Sequence, residues 1–257
     1  MKFKQITKAI MKRIINILCA ACCVLLCTSC IIRSSNFNAK KIKPSKNITT
    51  RTFTLTPFDA INMSVVGKVK YIQTTDETYK LVLQAPENYV PLYKIDVKDK
   101  RLDIEFVRNR VNIDDRHISI TVYSPSIRQI MNTGVGAIVA DSLNSADLLI
   151  DNAGVGSIDV KKLNAEKTEV RCSGVGSISI SGSTGKAVLD CSGVGGINAK
   201  DLHADDVRAE VSGVGGIKCY ATNDLNAEVS GVGSLRYGGK PKTKNLNRSG
   251  IGKISEL

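Results

Sequence analysis

The chain has 257 residues, of which 42% are hydrophobic, so it can bury a core and is not a wholly disordered protein. It has no Trp and only 5% aromatic residues, which indicates a thin aliphatic core and argues against large aromatic-lined pockets. The net charge of +12 arises at the N-terminus, because residues 1–51 hold eleven Lys and Arg and no acid. Residues 52–257 hold 25 basic against 24 acidic side chains, so the composition predicts no nucleic-acid partner.

Residues 1–29 are typical of an export signal. A basic stretch ends at Lys12-Arg13, and an apolar run covers residues 14–26. The run is too short for an ordinary membrane-spanning helix of about 20 residues. Either Met1 or Met11 is the start of translation, and Met11 gives the more compact leader.

The end of this leader resembles a bacterial lipoprotein signal, in which small residues precede a cysteine that receives acyl chains such as palmitate. Thr28-Ser29-Cys30 matches that pattern, which predicts lipidation at Cys30. Cys22, after Ala20-Ala21, is a weaker candidate, and an ordinary secretory leader cleaved nearby is the alternative. Residues 30–51, basic and without apolar periodicity, predict a flexible stalk. Surface-exported lipoproteins of Bacteroides-like bacteria often carry acidic residues after the cysteine, whereas Ile31-Ile32-Arg33 favour an outer-membrane anchor that faces the periplasm.

The strongest pattern is a repeat of 18 to 20 residues. A Gly-Val-Gly triplet recurs, and an aliphatic residue stands two positions after each one; the triplets begin at Gly134, Gly154, Gly174, Gly193, Gly213 and Gly231, with Gly-Ile-Gly at Gly250. The flanks alternate apolar and polar residues with period two, as strands do, and no helical run separates the glycines. The repeat predicts an all-β chain, a right-handed parallel β-solenoid with coils of about 20 residues, each made of two short strands, a glycine corner and a polar turn.

Residues 52–257 are predicted to form one domain, in which 52–130 is a strand-rich cap and 131–257 is the glycine ladder. Ten of the twelve aromatic residues precede residue 131, so the cap has the bulkier core. Strand patterns flank Gly67, which we interpret as a turn.

This arrangement resembles the head GIN domain family, described as auto-transporter adhesin heads. The residues that carry the resemblance are Phe58-Asp59-Ala60-Ile61, Arg101-Leu102-Asp103-Ile104, Ile120-Thr121-Val122-Tyr123-Ser124-Pro125 and the glycine ladder with Gly195-Gly196-Ile197-Asn198. The resemblance covers roughly residues 52–257. It implies a right-handed β-solenoid on an envelope-anchored, often lipid-modified protein, and it implies no catalytic residues.

Chemical sites are mostly disfavoured by the pattern. The triplets lack the helix that a dinucleotide fingerprint needs, and only Asp159 stands where calcium-binding β-rolls repeat an Asp. No His has ligand spacing to a thiol, so neither a metal nor a cofactor is predicted. The acidic–histidine clusters, His203 with Asp205-Asp206 and Asp114-Asp115 with Arg116-His117, could serve as acid and base, but such clusters are more often solvated turns. We therefore predict no enzymatic activity.

Three cysteines follow Cys30. Cys172 and Cys191 stand two residues before successive triplets on an inward column, which places their Cα atoms about 5 Å apart, within disulfide range. Two buried thiols are the alternative. Cys219 lies on another inward column and is predicted to be unpaired.

The sequence thus predicts a lipid-anchored cell-envelope protein whose non-catalytic head is an adhesin-like or binding module. Its partners would be the membrane, through the anchor, and a glycan or an envelope or host protein. A periplasmic structural or signalling scaffold is the first alternative, and a carbohydrate-active enzyme is the second.

Overall fold

Apolar and polar residues alternate along most of the repeat region. In the computed structural model the segments with this alternation are β-strands. The model describes residues 41–108 and 111–257. The strands are β1 (Ile48–Thr54), β2 (Ala60–Met63), β3 (Val66–Gln73), β4 (Lys80–Pro86), β5 (Tyr93–Lys98), β6 (Arg101–Phe106), β7 (Ser119–Ser124), β8 (Gln129–Asn132), β9 (Val135–Ala140), β10 (Leu143–Asn152), β11 (Val155–Cys172), β12 (Val175–Cys191), β13 (Val194–Val211), β14 (Val214–Val229), β15 (Val232–Gly238), β16 (Thr243–Arg248) and β17 (Lys253–Glu256). Two 3₁₀ helices cover Val90–Leu92 and Asp115–His117.

The repeats stack in parallel, which confirms the predicted fold class. Each coil pairs in register with the next, so that Ile158 lies opposite Ile178 and Val170 lies opposite Leu189. The coils wind into a right-handed β-solenoid of about six turns. Equivalent residues of successive repeats therefore form straight columns along the solenoid axis, at a strand spacing of about 4.8 Å.

The core consists of the inward columns. The aliphatic residue two positions after each triplet is fully buried in six coils, namely Ile138, Ile158, Ile178, Ile197, Ile217 and Leu235. Each such side chain contributes about 1.5–3 kcal/mol of burial free energy. The columns lose their cover at the C-terminal end, where Leu246 is 42% exposed although its counterpart Leu189 is 1% exposed.

The coils differ from the prediction at the polar turns. β11, β12, β13 and β14 are continuous strands of 16 to 18 residues, and the only interruption lies at the glycine corner. At the positions where turns were predicted, the strand continues and only its register with the next coil shifts, as between Val160 and Leu163. Hydrogen bonding to both neighbouring coils holds the backbone extended where a local reading of polar residues predicts a turn.

The first coil is formed by β2 and β3, which pair in parallel with β8 and β9. The predicted turn at Gly67 is therefore wrong. Gly67 lies inside β3 with a φ of 123°, opposite Gly136, and is the first glycine of the ladder. The chain bends instead at residues 64–65, between the two strands.

Residues 74–128, which are inserted between β3 and β8, form a cap together with β1. β6 and β7 add in parallel to the outer side of the first coil, and the antiparallel pairs β5–β6, β4–β7 and β1–β4 extend them. The cap buries the bulky side chains of Phe58, Tyr71 and Tyr89. These aromatic residues close the N-terminal end of a core that is otherwise aliphatic.

The stalk predicted to reach residue 51 ends earlier. β1 begins at Ile48, and its seven residues pair with β4. The Tyr89 hydroxyl also donates a hydrogen bond of 2.7 Å to the carbonyl of Ile42. Residues 41–51 therefore belong to the cap, because an extended polar segment gains backbone partners at the free edge of a sheet. Residues 30–40 lie outside the described residues. Across residues 41–108 and 111–257, no helix is long and apolar enough to cross a membrane.

Candidate functional site

The glycine corners bring the backbones of successive coils into very close contact. A Cβ built on Gly176 would lie 2.9 Å from both the carbonyl carbon and the nitrogen of Gly156, and closer still to its oxygen. The φ of Gly176 is 159°, at the edge of the region that side chains rarely adopt. The glycine positions leave no room for a side chain between successive coils. The only side chain of each triplet belongs to its central valine, and it projects outward.

The valines at the centre of the triplets form a ridge on the surface. We call this feature the valine ridge; each member is 49–56% exposed, and it consists of Val135, Val155, Val175, Val194, Val214 and Val232. The valines pair in register from coil to coil. Single exposed valines are ordinary, but a continuous apolar row of six on one face is typical of an interaction surface. This row was not predicted from the sequence. The buried isoleucine of each coil lies three positions after the valine, so the period-two alternation of a strand predicts that the valine faces outward.

A shallow groove runs beside the ridge. Its floor is the next outward column, which carries only small residues, namely Ala137, Ser157, Ser177, Gly196, Gly216 and Ser234. An open cavity of about 450 Å³ lies between Val135, Val155 and the loop at Asp115 and Ile118. A second one of about 210 Å³ lies over Gly196 and Gly216. Over five coil spacings the floor extends about 24 Å, long enough for an extended chain.

The far side of the groove is basic towards the C-terminus. Lys218 and Arg236 are register neighbours on adjacent coils, and both are exposed. Neither takes part in an ion pair with any residue of the described ranges. By contrast, Asp141 lies between Lys70 and Lys161, at 2.9 and 2.8 Å. Hydrogen bonds from these two lysines lower the pKa of Asp141 to about 2, so both lysines already share an acidic partner.

The predicted thiol column is confirmed in its placement. Cys172 and Cys191 are opposite each other and fully buried, and Cys219 is buried on its own column. All three are free thiols in the structure. The sulfurs of Cys172 and Cys191 lie 3.6 and 3.7 Å from the carbonyl oxygens of Gly176 and Gly195. Hydrogen bonding to Cys191 and burial raise the pKa of Cys172, and burial raises that of Cys219 to about 12. The disulfide between Cys172 and Cys191 stays a prediction.

The same column begins with buried asparagines, which the sequence analysis did not notice. Asn132 donates a hydrogen bond of 2.9 Å to Asn152, and Asn152 donates one of 3.0 Å to the carbonyl of Gly156. Cys172 succeeds Asn152 in the column and makes the equivalent contact to the carbonyl of Gly176. These side chains therefore bind corner carbonyls and serve the fold.

The two acidic–histidine clusters are engaged in structural contacts. Asp205 accepts a hydrogen bond from Thr222, and Asp206 accepts one of 2.8 Å from Asn223, both on the next coil. The His203 ring packs against Tyr220, with 4.5 Å between the ring centroids. In the other cluster Asp114 caps the 3₁₀ helix, and hydrogen bonds from Arg116 hold the pKa of Asp114 well below its usual range.

Metal ligands are not gathered anywhere in residues 41–108 and 111–257, where no group of three or more His, Cys, Asp or Glu side chains could hold an ion. The other predicted site residue, the lipidation site Cys30, and its alternative Cys22 lie outside the described residues. The surface feature that the structure adds is therefore the valine ridge with its groove.

Known proteins share this fold. A crystal structure of a putative adhesin from Bacteroides fragilis NCTC 9343 is 35% identical, with a TM-score of 0.81 over 84% of this chain and 100% of that chain. A putative lipid binding protein from Parabacteroides distasonis ATCC 8503 (21% identity, TM-score 0.70) and a putative adhesin from Parabacteroides merdae ATCC 43184 (20%, 0.64) each match 85% of this chain and 100% of their own. No curated protein matches the chain. The family described as "Putative auto-transporter adhesin, head GIN domain" matches residues 57–241, and the chain belongs to this family.

Proposed function

We propose that the chain is a lipid-anchored protein of the cell envelope whose solenoid head is a non-catalytic, adhesin-like binding module. The observation that carries the binding role is the valine ridge, six outward valines in register beside a groove. Aliphatic side chains left half in water contribute only part of the burial free energy they could supply, and a repeated exposed row of them is typical of contact with a partner. Membership of an adhesin family supports both the binding role and the envelope location.

The anchor is proposed at Cys30, on the outer membrane. Two or three acyl chains hold a protein far more firmly than one, because each buried methylene adds about 0.8 kcal/mol. Growth with an alkyne-bearing palmitate analogue should label the full-length chain, and Cys30→Ser should abolish the label. Cys22→Ser is the matched control and should leave it intact. If Cys22→Ser alone abolishes labelling, the anchor is at Cys22. If the wild-type chain takes up no label, it has no lipid anchor, and if both variants keep the label, Cys30 is not the site.

The binding role is tested on the full-length chain in its own cells. Valine-ridge variants with Val175→Ser, Val194→Ser and Val214→Ser should lose attachment to host matrix, glycans or other cells, relative to wild-type cells. A control with three exposed residues changed elsewhere, such as Thr52→Ser, Lys98→Gln and Thr243→Ser, should retain it. Equal attachment by both variants, or no attachment by the wild type, contradicts the adhesin-like role.

A periplasmic scaffold is the second candidate, favoured by the sequence after Cys30, where Ile31-Ile32-Arg33 replace an acidic segment. Protease treatment of intact cells, with a tag after Leu257 as the readout, separates the two roles. Loss of the tag supports a surface adhesin. Survival until the outer membrane is permeabilised supports the scaffold, and crosslinking in living cells would then recover its envelope partner.

A further inference from the structure

The groove floor changes from serine to glycine at two successive coils. Gly196 and Gly216 replace the serines of their column, and neither has a φ in the left-handed region. A Cβ at Gly196 would lie 2.9 Å from the carbonyl oxygen of Gly216, so an added methyl group requires the neighbouring backbone to move. Ser177 and Ser234 carry a side chain at the equivalent positions of the coils on either side. The two glycines therefore leave a dent of about 210 Å³ in an otherwise regular face.

Unused polar groups surround this dent. Lys218 and Arg236 are directly opposite each other in the ladder, where two like charges repel unless an anion lies between them. Asn198 precedes Lys218 in the same column, and its Oδ1 is buried without a hydrogen-bond partner. All three residues line the dent, together with Ser177 and Ser234.

We propose that this dent, lined by Asn198, Lys218 and Arg236, binds one acidic sugar unit of an extended polysaccharide. The lysine and arginine would hold a carboxylate or sulfate through charge-assisted hydrogen bonds, which are the strong class of such contacts. The asparagine and the two serines would meet sugar hydroxyls, which both donate and accept. The proposal rests on the proposed binding function and names its ligand class.

The size and shape of the site select this ligand. A volume of about 210 Å³ is below the roughly 300–1,000 Å³ of pockets for drug-sized molecules, so the dent holds one small unit at a time. It is open on its outer side, and the column of small side chains extends from it along the solenoid axis, so a polymer bound in the dent has no bulky side chain of that column in its way. A membrane surface fits less well, because the dent is concave and two of its side chains, Lys218 and Arg236, are cationic.

The test uses the full-length chain purified in detergent and immobilised on a biosensor. The probes are polygalacturonate and chondroitin sulfate, with neutral dextran as the uncharged polymer. We expect binding to at least one acidic polymer and none to dextran, and the affinity should fall as salt is added. Lys218→Gln with Arg236→Gln should weaken binding at least tenfold. Lys240→Gln with Lys242→Gln removes the same charge from outside the dent and should weaken it less than twofold.

A second variant tests the space rather than the charge. Gly196→Ala with Gly216→Ala fills the dent and keeps both cations, and it should also weaken binding at least tenfold. Its melting temperature is compared with that of the charge variant, which does not touch the backbone, so a folding defect cannot be mistaken for lost recognition.

Three results would overturn the proposal. Equal losses in the two charge variants would show general attraction of polyanions. Binding to vesicles of phosphatidylglycerol that the charge variant abolishes, without binding to either acidic polymer, would assign the cations to lipid headgroups. Finally, if the charge variant attaches to cells like the wild type while the valine-ridge variant does not, the acidic-sugar site is refuted and the adhesin-like function stands.

Discussion

The closeness of the coils at the glycine corners makes Gly176→Ala a severe test of the fold. The added methyl group would lie 2.9 Å from two backbone atoms of Gly156 and nearer to its oxygen, and no flexible side chain is there to move aside. Overpacking of this kind costs about 1–3 kcal/mol, and a strained φ costs a similar amount. We expect a loss of about 3 kcal/mol in the free energy of unfolding.

Urea or thermal unfolding of the full-length chain, followed by circular dichroism, measures this loss. For a chain of this size about 3 kcal/mol corresponds to a fall of roughly 6–12 °C in Tm. The neighbouring change Val175→Ala is the matched control, because Val175 is 54% exposed and its substitution should cost less than about 0.5 kcal/mol. If the two variants unfold within 1 kcal/mol of each other, the glycines are not needed for close stacking and our account of the corners is wrong.

Three further predictions concern the core. Leu189→Ala should cost about 2–5 kcal/mol, while Leu246→Ala on the last coil should cost under about 1 kcal/mol; equal costs in unfolding titrations would mean that something covers the C-terminal end. Cys219 is buried, so it should react with iodoacetamide only after unfolding. Peptide mapping of the oxidised protein should show Cys172 bonded only to Cys191, and a disulfide to Cys219 would contradict the register of the coils. Burial raises the pKa of Tyr71 to about 12, so the unfolded chain ionises first and stability should fall by about 2 kcal/mol as the pH rises from 10 to 12. Tyr71→Phe should remove that part of the decline, and an unchanged pH profile would refute it.

The sequence predicts the ladder well because two independent periods agree there. The triplets recur every 18 to 20 residues, and residues such as Ile158 and Ile178 keep the same phase relative to them. A short-range repeat in which every coil contacts its neighbour leaves one arrangement that buries all the aliphatic residues. The inward placement of Cys172 and Cys191 follows from the same phase.

The first coil, β2 and β3, was not predicted because the strands it pairs with, β8 and β9, are distant in the chain. β3 carries a single glycine, Gly67, and the residue that it pairs with, Gly136, comes only after the whole cap has been inserted. Pairings of this kind depend on tertiary contacts, and a lone glycine between two strand patterns is read locally as a turn. The edge strand β1 was missed for a related reason, since its polar side chains are held by backbone pairing rather than by burial.

Columns also explain why the candidate site is harder to read than the fold. In a solenoid a ligand contacts residues from several coils at once. Each coil contributes one or a few residues to the site, and these residues are about 20 positions apart in the chain. Residues that keep a column uniform, such as the exposed valines, extend a surface along the axis. A residue that differs from the rest of its column makes one position on that surface distinct. Gly196 and Gly216 do so in the serine column, and Lys218 and Arg236 do so in the column beside it. Because both breaks fall on the same three coils, one ligand contact accounts for them together.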